Sequence, residues 1–364
     1  MLTAGVRLTA ALLILGQSGC TISDTTDPPI SDFQSAIDWY TADSTIPGAV
    51  ALVSRGDDVW SGGSGYASLS GEIMNPFVKV RIASLTKLFT ATVILQMAEE
   101  GRLGLDETIV PFFERGIIDS LVILDGQSYG HRITIRMLLS HRSGVYDYAD
   151  EEFYELLRAD PTRRWQPLDL VRYAINSGQP YFVPDVLPPD EYGYSNTNYI
   201  MLGKIAEQID GRAYHHLVRD RILIPLSLSS TFLAEYEAIP PPLAAGYDGA
   251  SDVSSYDYSF EWASSGLVGT VGNLHEFMDA LMGGRLFQNT STLEEMKSPG
   301  GYGLGLATII TGDGVVGYGH FGQSLGFVSV MAYVPSRDAC IIASMNQRTA
   351  NIVSLYLDLL SLTW

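Results

Sequence analysis

The chain is short of cysteine, of lysine and of positive charge in general. Its 364 residues include two cysteines, Cys20 and Cys340, and four lysines. Two thiols allow one disulfide at most, so no disulfide framework holds the fold. Lysine and arginine number 22 against 41 acidic residues, a formal net charge of −19. A surface that acidic repels nucleic acid and anionic lipid, and no Lys/Arg stripe reverses it locally, so no nucleic-acid partner is expected. Long apolar runs are also missing. The longest near the start, Leu8 to Leu15, is too short to remain as a membrane-spanning helix. Histidines are few and none stands in metal-ligand spacing: His131, His141 and the pair His215-His216 lack partners at the required offsets. No metal and no cofactor are expected.

What is present suits a well-cored globular protein of one large or two interleaved domains, since 46% of the residues are hydrophobic. Residues 1–20 read as an export signal: Arg7, an apolar run, then Gly16-Gln-Ser-Gly-Cys20. Small residues before a cysteine fit a lipoprotein-type cleavage site, with Gln17 a departure from the usual Leu-like residue. The expectation is an exported, periplasmic or outer-surface protein, touching membrane only through a lipid on Cys20. Residues 21–30, with Pro28-Pro29, form a linker.

Hydrophobic spacing predicts a first helix over 31–43 and strands over 49–54, 59–66 and 79–82. One long helix, apolar almost all round, is predicted from Val80 to Glu100 and stopped by Gly101. Helical patterns follow at 150–176, 199–209, 213–222 and 274–282, with a Pro/Gly/Ser/Tyr-rich surface excursion at 236–260. Strands are predicted at 302–310, 315–319, 326–334 and 339–345, and a closing helix at 352–360. The expected fold is therefore α/β: an antiparallel sheet flanked by helices, built from both chain ends, with an inserted all-helical region. The division is 31–84 plus 262–364 for the α/β sandwich and 85–261 for the mostly helical insertion.

Three short patterns carry chemistry. Ser84-Leu-Thr-Lys87 places a hydroxyl and an amine on one face of a helix start. A lysine whose pKa is lowered by burial can take the serine proton, and helix-start N–H groups can stabilise an oxyanion. Lys87 alone among the lysines has a serine three residues before it. Tyr194-Ser-Asn196 brings a phenol able to shuttle a proton and an amide able to bind a carbonyl. His320-Phe-Gly322 follows a Gly-rich strand, where substrate backbone could approach closely and the Gln323 N–H could be a second oxyanion donor. Each has a plain structural alternative: a salt-bridged core lysine, a helix cap, a strand-end histidine. Gly322-Gln-Ser-Leu-Gly326 spells the nucleophile elbow of another hydrolase fold, but a strand rather than a helix should follow it, so Ser324 reads as a turn residue.

In this order the three patterns resemble the penicillin-recognising serine hydrolases, in the branch of class C β-lactamases, D-alanyl-D-alanine carboxypeptidases and related esterases. The phrases Ile133 to Gly144, Tyr194 to Tyr199 and Tyr302 to Gly305 carry the resemblance further, over roughly residues 33–360. It implies an acyl-enzyme on Ser84 with Lys87 and Tyr194 transferring protons, and substrate or oxyanion contacts from Asn196, His320, Gly322 and Gln323. A carboxypeptidase must hold a terminal carboxylate, and no basic residue lies between Tyr302 and His320, which leaves Arg348 as candidate. His320 stands where class C β-lactamases usually have lysine. The expected activity is thus a carboxypeptidase-like cell-wall peptidase on a small-molecule or peptidoglycan-peptide substrate, ahead of an esterase and a β-lactamase. A non-catalytic penicillin- or peptidoglycan-binding lipoprotein is the reading from another class.

Overall fold

The computed structural model describes residues 30–184, 191–298 and 301–364. The export signal, Cys20 and most of the linker lie outside the described residues. Seven strands form the main sheet: β1 (Gly48–Arg55), β2 (Asp58–Ser68), β3 (Glu72–Ile73), β4 (Ala307–Ile310), β5 (Val316–Gln323), β6 (Val328–Val334) and β7 (Ala339–Met345). Their spatial order is β4-β5-β6-β7-β1-β2-β3, antiparallel throughout, so the two ends of the chain meet where β1 pairs with β7. Ala49 sits opposite Met345 there and Arg55 opposite Ala339.

Alternation along the strands makes a sandwich with two cores. Ala49, Ala51 and Val53 face Ile37 of the Phe33–Thr41 helix and Leu355 and Leu359 of the Ile352–Ser361 helix. Val50 and Leu52, one residue out of phase, face the larger core with Leu88, Phe89 and Phe277. Phe89 and Phe277 stack at 3.7 Å between ring centroids and tie the Thr86–Glu99 helix to the Val271–Met282 helix. Cys340 is a free, buried thiol in β7. Between the sheet's halves the chain is mostly helical, interrupted by two-residue strands such as Ile123–Leu124 and Phe232–Leu233. Among the described residues no helix is long and apolar enough to cross a membrane.

Five local expectations need correction. The stretch from Val80 is not one helix: Val80–Arg81 is a strand, Ala83–Leu85 a 3-10 turn, and the α-helix spans Thr86–Glu99. Strand pairing with Leu267–Gly269 claims the first residues before the helix can. The stop is as expected, with Gly101 left-handed at φ +70° and its N–H donating to Ala98. The helix predicted from Tyr199 begins at Asn196, with Ser195 as N-cap. The strand predicted over 302–310 shortens to Ala307–Ile310, whereas that predicted over 315–319 runs on to Gln323, so His320 and Gly322 lie within it. The 236–260 excursion is partly core: Tyr247, Val253, Tyr258 and Phe260 are buried.

Candidate active site

The turn that carries Ser84 is made by a strand that ends abruptly. Val80–Arg81 pairs with Leu267–Gly269, and the Ile82 N–H still donates to the Leu267 carbonyl at 3.1 Å. Ala83 then swings to φ +51°, a left-handed conformation costly for a residue with a Cβ. The reversal delivers Ser84 into the 3-10 turn and Lys87 into the first turn of the helix. Ser84 is 4% exposed and Lys87 is fully buried.

Strand β5 closes the turn from the other side. A Cβ on Gly322 would stand 2.8 Å from the Ile82 carbonyl and 3.0 Å from Ala83 Cβ, so only glycine lets the strand pass this close. Ser329 on β6 fastens the arrangement by donating its hydroxyl to the same Ile82 carbonyl at 2.8 Å. Pairing of β5 with β4 ends at Gly319, which leaves His320 to Gln323 without a strand neighbour on that edge among the described residues. Gln323 follows Gly322 there, and its side chain donates to the Arg348 carbonyl at 3.0 Å.

Lys87 Nζ has three partners: Ser84 Oγ at 3.2 Å, Asn196 Oδ1 at 2.7 Å and the Ser264 carbonyl at 2.9 Å. Burial pushes the amine down to about 7, against the pull of the Asp147 and Glu261 carboxylates. Tyr194 Oη donates to Ser84 Oγ at 2.9 Å. Burial holds its phenol well above the ordinary value, so the group is neutral and a donor. Ser84 Oγ thus sits between an amine poised near neutrality and a phenol. The structure brings together Ser84, Lys87, Tyr194 and Asn196.

His320 plays another part. It is fully buried, its Nδ1 bonds the Phe321 carbonyl, and Nε2 accepts from the Tyr302 hydroxyl at 3.0 Å. Burial and the nearby Lys87 push it down to about 3, so it is neutral with both nitrogens engaged. In this structure both of its nitrogens have protein partners. His141 is similar: buried, neutral, with Nδ1 taking the Ser195 N–H at 3.1 Å and its ring 4.3 Å from that of Tyr194.

Arg348 donates to Asp248 Oδ2 at 3.4 Å and lies over the Tyr154 ring, so its charge already has a counter-ion. Ser324 occupies the β5–β6 turn, its N–H on the Phe327 carbonyl at 2.9 Å, and a strand follows as expected. His215 and His216 face each other at 4.0 Å between ring centroids, and the described residues hold no cluster of three metal-binding side chains. Sequence reasoning missed Asp147 and Glu261. Asp147 takes the Asn196 backbone N–H at 2.9 Å and its Nδ2 at 3.0 Å. Glu261 is 2% exposed, its carboxyl pushed up to about 7 by burial. Asp147 follows the Ile133 to Gly144 phrase closely, and that position was its one available signal.

Known proteins share this arrangement's frame. The Beta-lactamase family model matches residues 33–355. The structure resembles a D-stereospecific amidohydrolase from Streptomyces sp. at 31% identity and TM-score 0.78, covering 90% of this chain and 96% of that one. It also resembles the D-amino acid amidase of Ochrobactrum anthropi SV3 at 26% identity and TM-score 0.74, covering 91% and 98%. A putative penicillin-binding protein, PbpX, of Bacillus subtilis (strain 168) is 26% identical over 286 residues, 75% of this chain. The match takes in 65% of that relative, so this chain spans less than two thirds of its length. With the family model running from the first helix into the last, the chain belongs to the Beta-lactamase family.

Proposed function

We propose that this protein is a serine amidohydrolase that works through an acyl-enzyme on Ser84. The observation that carries the reading is the position of Ser84 Oγ between Lys87 Nζ and Tyr194 Oη. A neutral amine keeps two N–H bonds, to Asn196 and Ser264, and turns its lone pair to the serine. Ser84 Oγ then attacks the substrate carbonyl carbon as its proton passes to Lys87, forming the C–O bond and a tetrahedral oxyanion. The Ser84 and Gln323 N–H groups are the oxyanion donors in this reading. Collapse breaks the C–N bond, and the proton reaches the leaving amine through Tyr194. Water then attacks the acyl-enzyme by the reverse relay and releases the acid.

Charge supports one substrate class over another. Two carboxyls, Asp147 and Glu261, act on the buried lysine, and Arg348 is paired with Asp248. Carboxyls beside the lysine and an Arg348 that already has a counter-ion favour a substrate end that is an amide or an ammonium over a terminal carboxylate. Relatives that act on D-configured amides point the same way. We therefore place D-amino-acid amides and short D-peptides ahead of D-alanyl-D-alanine carboxypeptidase action, with esters and β-lactams as lesser substrates.

A panel of D- and L-phenylalanine amide, D-alanyl-D-alanine peptides, p-nitrophenyl butyrate and a fluorescent penicillin tests this. The expected result is fastest turnover of the D-amide and, for any compound that stays bound, an acyl group mapped by mass spectrometry to Ser84. Preferred cleavage of the free-carboxylate peptides would restore the carboxypeptidase reading, and an adduct elsewhere would remove Ser84 as nucleophile. We also propose export with a lipid on Cys20. Mass spectrometry of the membrane fraction should then find a diacylglycerol-modified Cys20, and an unmodified cysteine on a soluble mature chain overturns it.

A further inference from the structure

We propose that Asp147 is a positioning residue: it locks the Asn196 amide with its oxygen on Lys87 and so fixes the direction of the base. The proposal rests on the acyl-transfer reading above. A side-chain amide is nearly symmetric in shape but opposite in chemistry at its two ends, and some restraint must decide which end faces the amine. At Asn196 that restraint is a carboxylate. Asp147 Oδ1 accepts from the Asn196 N–H at 2.9 Å and the Ala149 N–H at 3.2 Å, while Oδ2 accepts from Asn196 Nδ2 at 3.0 Å. Burial raises the Asp147 carboxyl to about 6, so above that pH it is ionised and can only accept, which turns Nδ2 toward Asp147 and Oδ1 toward Lys87 Nζ, 2.7 Å away.

Rotation of the amide by half a turn would set an NH2 against the lysine and free Nζ to swing off Ser84. Asn196 is also the first residue of its helix, and the Ser195 hydroxyl at the cap position donates to the Tyr146 carbonyl at 3.2 Å instead of accepting from a helix N–H. Asp147 therefore supplies a partner at that helix start as well. One of the two Nδ2 hydrogens is engaged by Asp147, and Oδ1 is held on the lysine.

Asp147 also acts on Lys87 through space, opposing the effect of burial together with Glu261. The other groups around the amine are His141 and His320, held neutral, and the phenols of Tyr194 and Tyr199, whose ring faces lie 4.9 and 5.4 Å from Nζ. Removing the Asp147 charge leaves Glu261 alone to favour the ammonium. The amine should then lose its proton at lower pH.

The test is the rate at which a fluorophosphonate probe labels Ser84, measured from pH 5 to 9. In that step an O–P bond forms, the P–F bond breaks, fluoride leaves and Lys87 takes the serine proton. Wild type should label with an acid limb near 7. Asp147→Asn should label at least about tenfold slower above pH 8, with its acid limb moved about half a unit or more to lower pH. Asn196→Ala should be slowed to a similar degree, and the double variant should be no slower than Asn196→Ala alone. Asp147→Glu, which keeps the charge, should retain the wild-type acid limb and serves equally if Asp147→Asn does not fold. An unshifted limb in Asp147→Asn, or penalties that add in the double variant, would overturn the proposal. Absence of wild-type labelling would instead strike the Ser84 reading.

Discussion

Lys87→Met is expected to lower kcat/KM by about a thousandfold, because in the proposed mechanism it removes the general base and leaves Ser84 in place. Methionine has nearly the same length as lysine, so the buried shaft stays filled while the amine is lost. Ser84 Oγ would keep its bond from Tyr194 but have no acceptor for its own proton. A milder loss, with KM raised and kcat kept, would mean that the lysine binds substrate instead. The same variant makes a thermodynamic prediction. In the folded chain the amine titrates near 7, against the ordinary value of 10.5. Between those values the unfolded chain binds more protons, so wild-type stability rises with pH across that window. Denaturation of wild type and Lys87→Met at pH 7 and pH 10 should show this rise in wild type only. Parallel profiles would mean that the amine is not depressed in the fold.

Gly322→Ala should damage both stability and catalysis, although it adds a single methyl and removes no functional group. The new Cβ would stand 2.4 Å from Ser329 Oγ as well as 2.8 Å from the Ile82 carbonyl. Either β5 moves off the nucleophile turn or Ser329 gives up its bond to Ile82. Overpacking of this kind costs about 1–3 kcal/mol. The larger consequence is for rate: Ile82 precedes Ala83 and Ser84, so the displaced turn carries the nucleophile with it. A shift of about 1 Å is enough to cost about a hundredfold in kcat. Gly272→Ala is the control, since a Cβ there meets nothing within 4 Å and helix propensity favours it. If Gly322→Ala unfolds at the wild-type temperature with unchanged kcat, the close packing of β5 on the turn is not what seats Ser84.

The parts of this site legible in the sequence are those where one residue type does one job. Ser84 and Lys87 stand out because an amine inside an apolar helix has few reasons to be there, and the terminal strands follow from plain alternation. Local geometry was harder to read. Val80 to Ala83 has helix-compatible residues, yet pairing with Leu267–Gly269, distant in sequence, makes its first residues a strand and Ala83 a reversal. No window on the sequence contains that partner. His320 looked like a substrate contact because the motif is shared, but Tyr302 and the Phe321 carbonyl, visible only in the fold, engage its two nitrogens. Asp147 was hidden for a different reason. An aspartate in a Tyr-rich loop resembles any solvated carboxylate until Asn196 is folded against it.

Because β1 is hydrogen-bonded to β7, and β5 closes on the turn that holds Ser84, the surroundings of Ser84 are assembled from both ends of the chain. Ser84 and Lys87 leave the ribosome well before β5 to β7, and pairings of such long separation form late. A nascent chain lacking its last strands carries the serine and the lysine but no wall against which to seat them. On the acyl-transfer reading, the site is therefore complete only once the final strand pairs with the first.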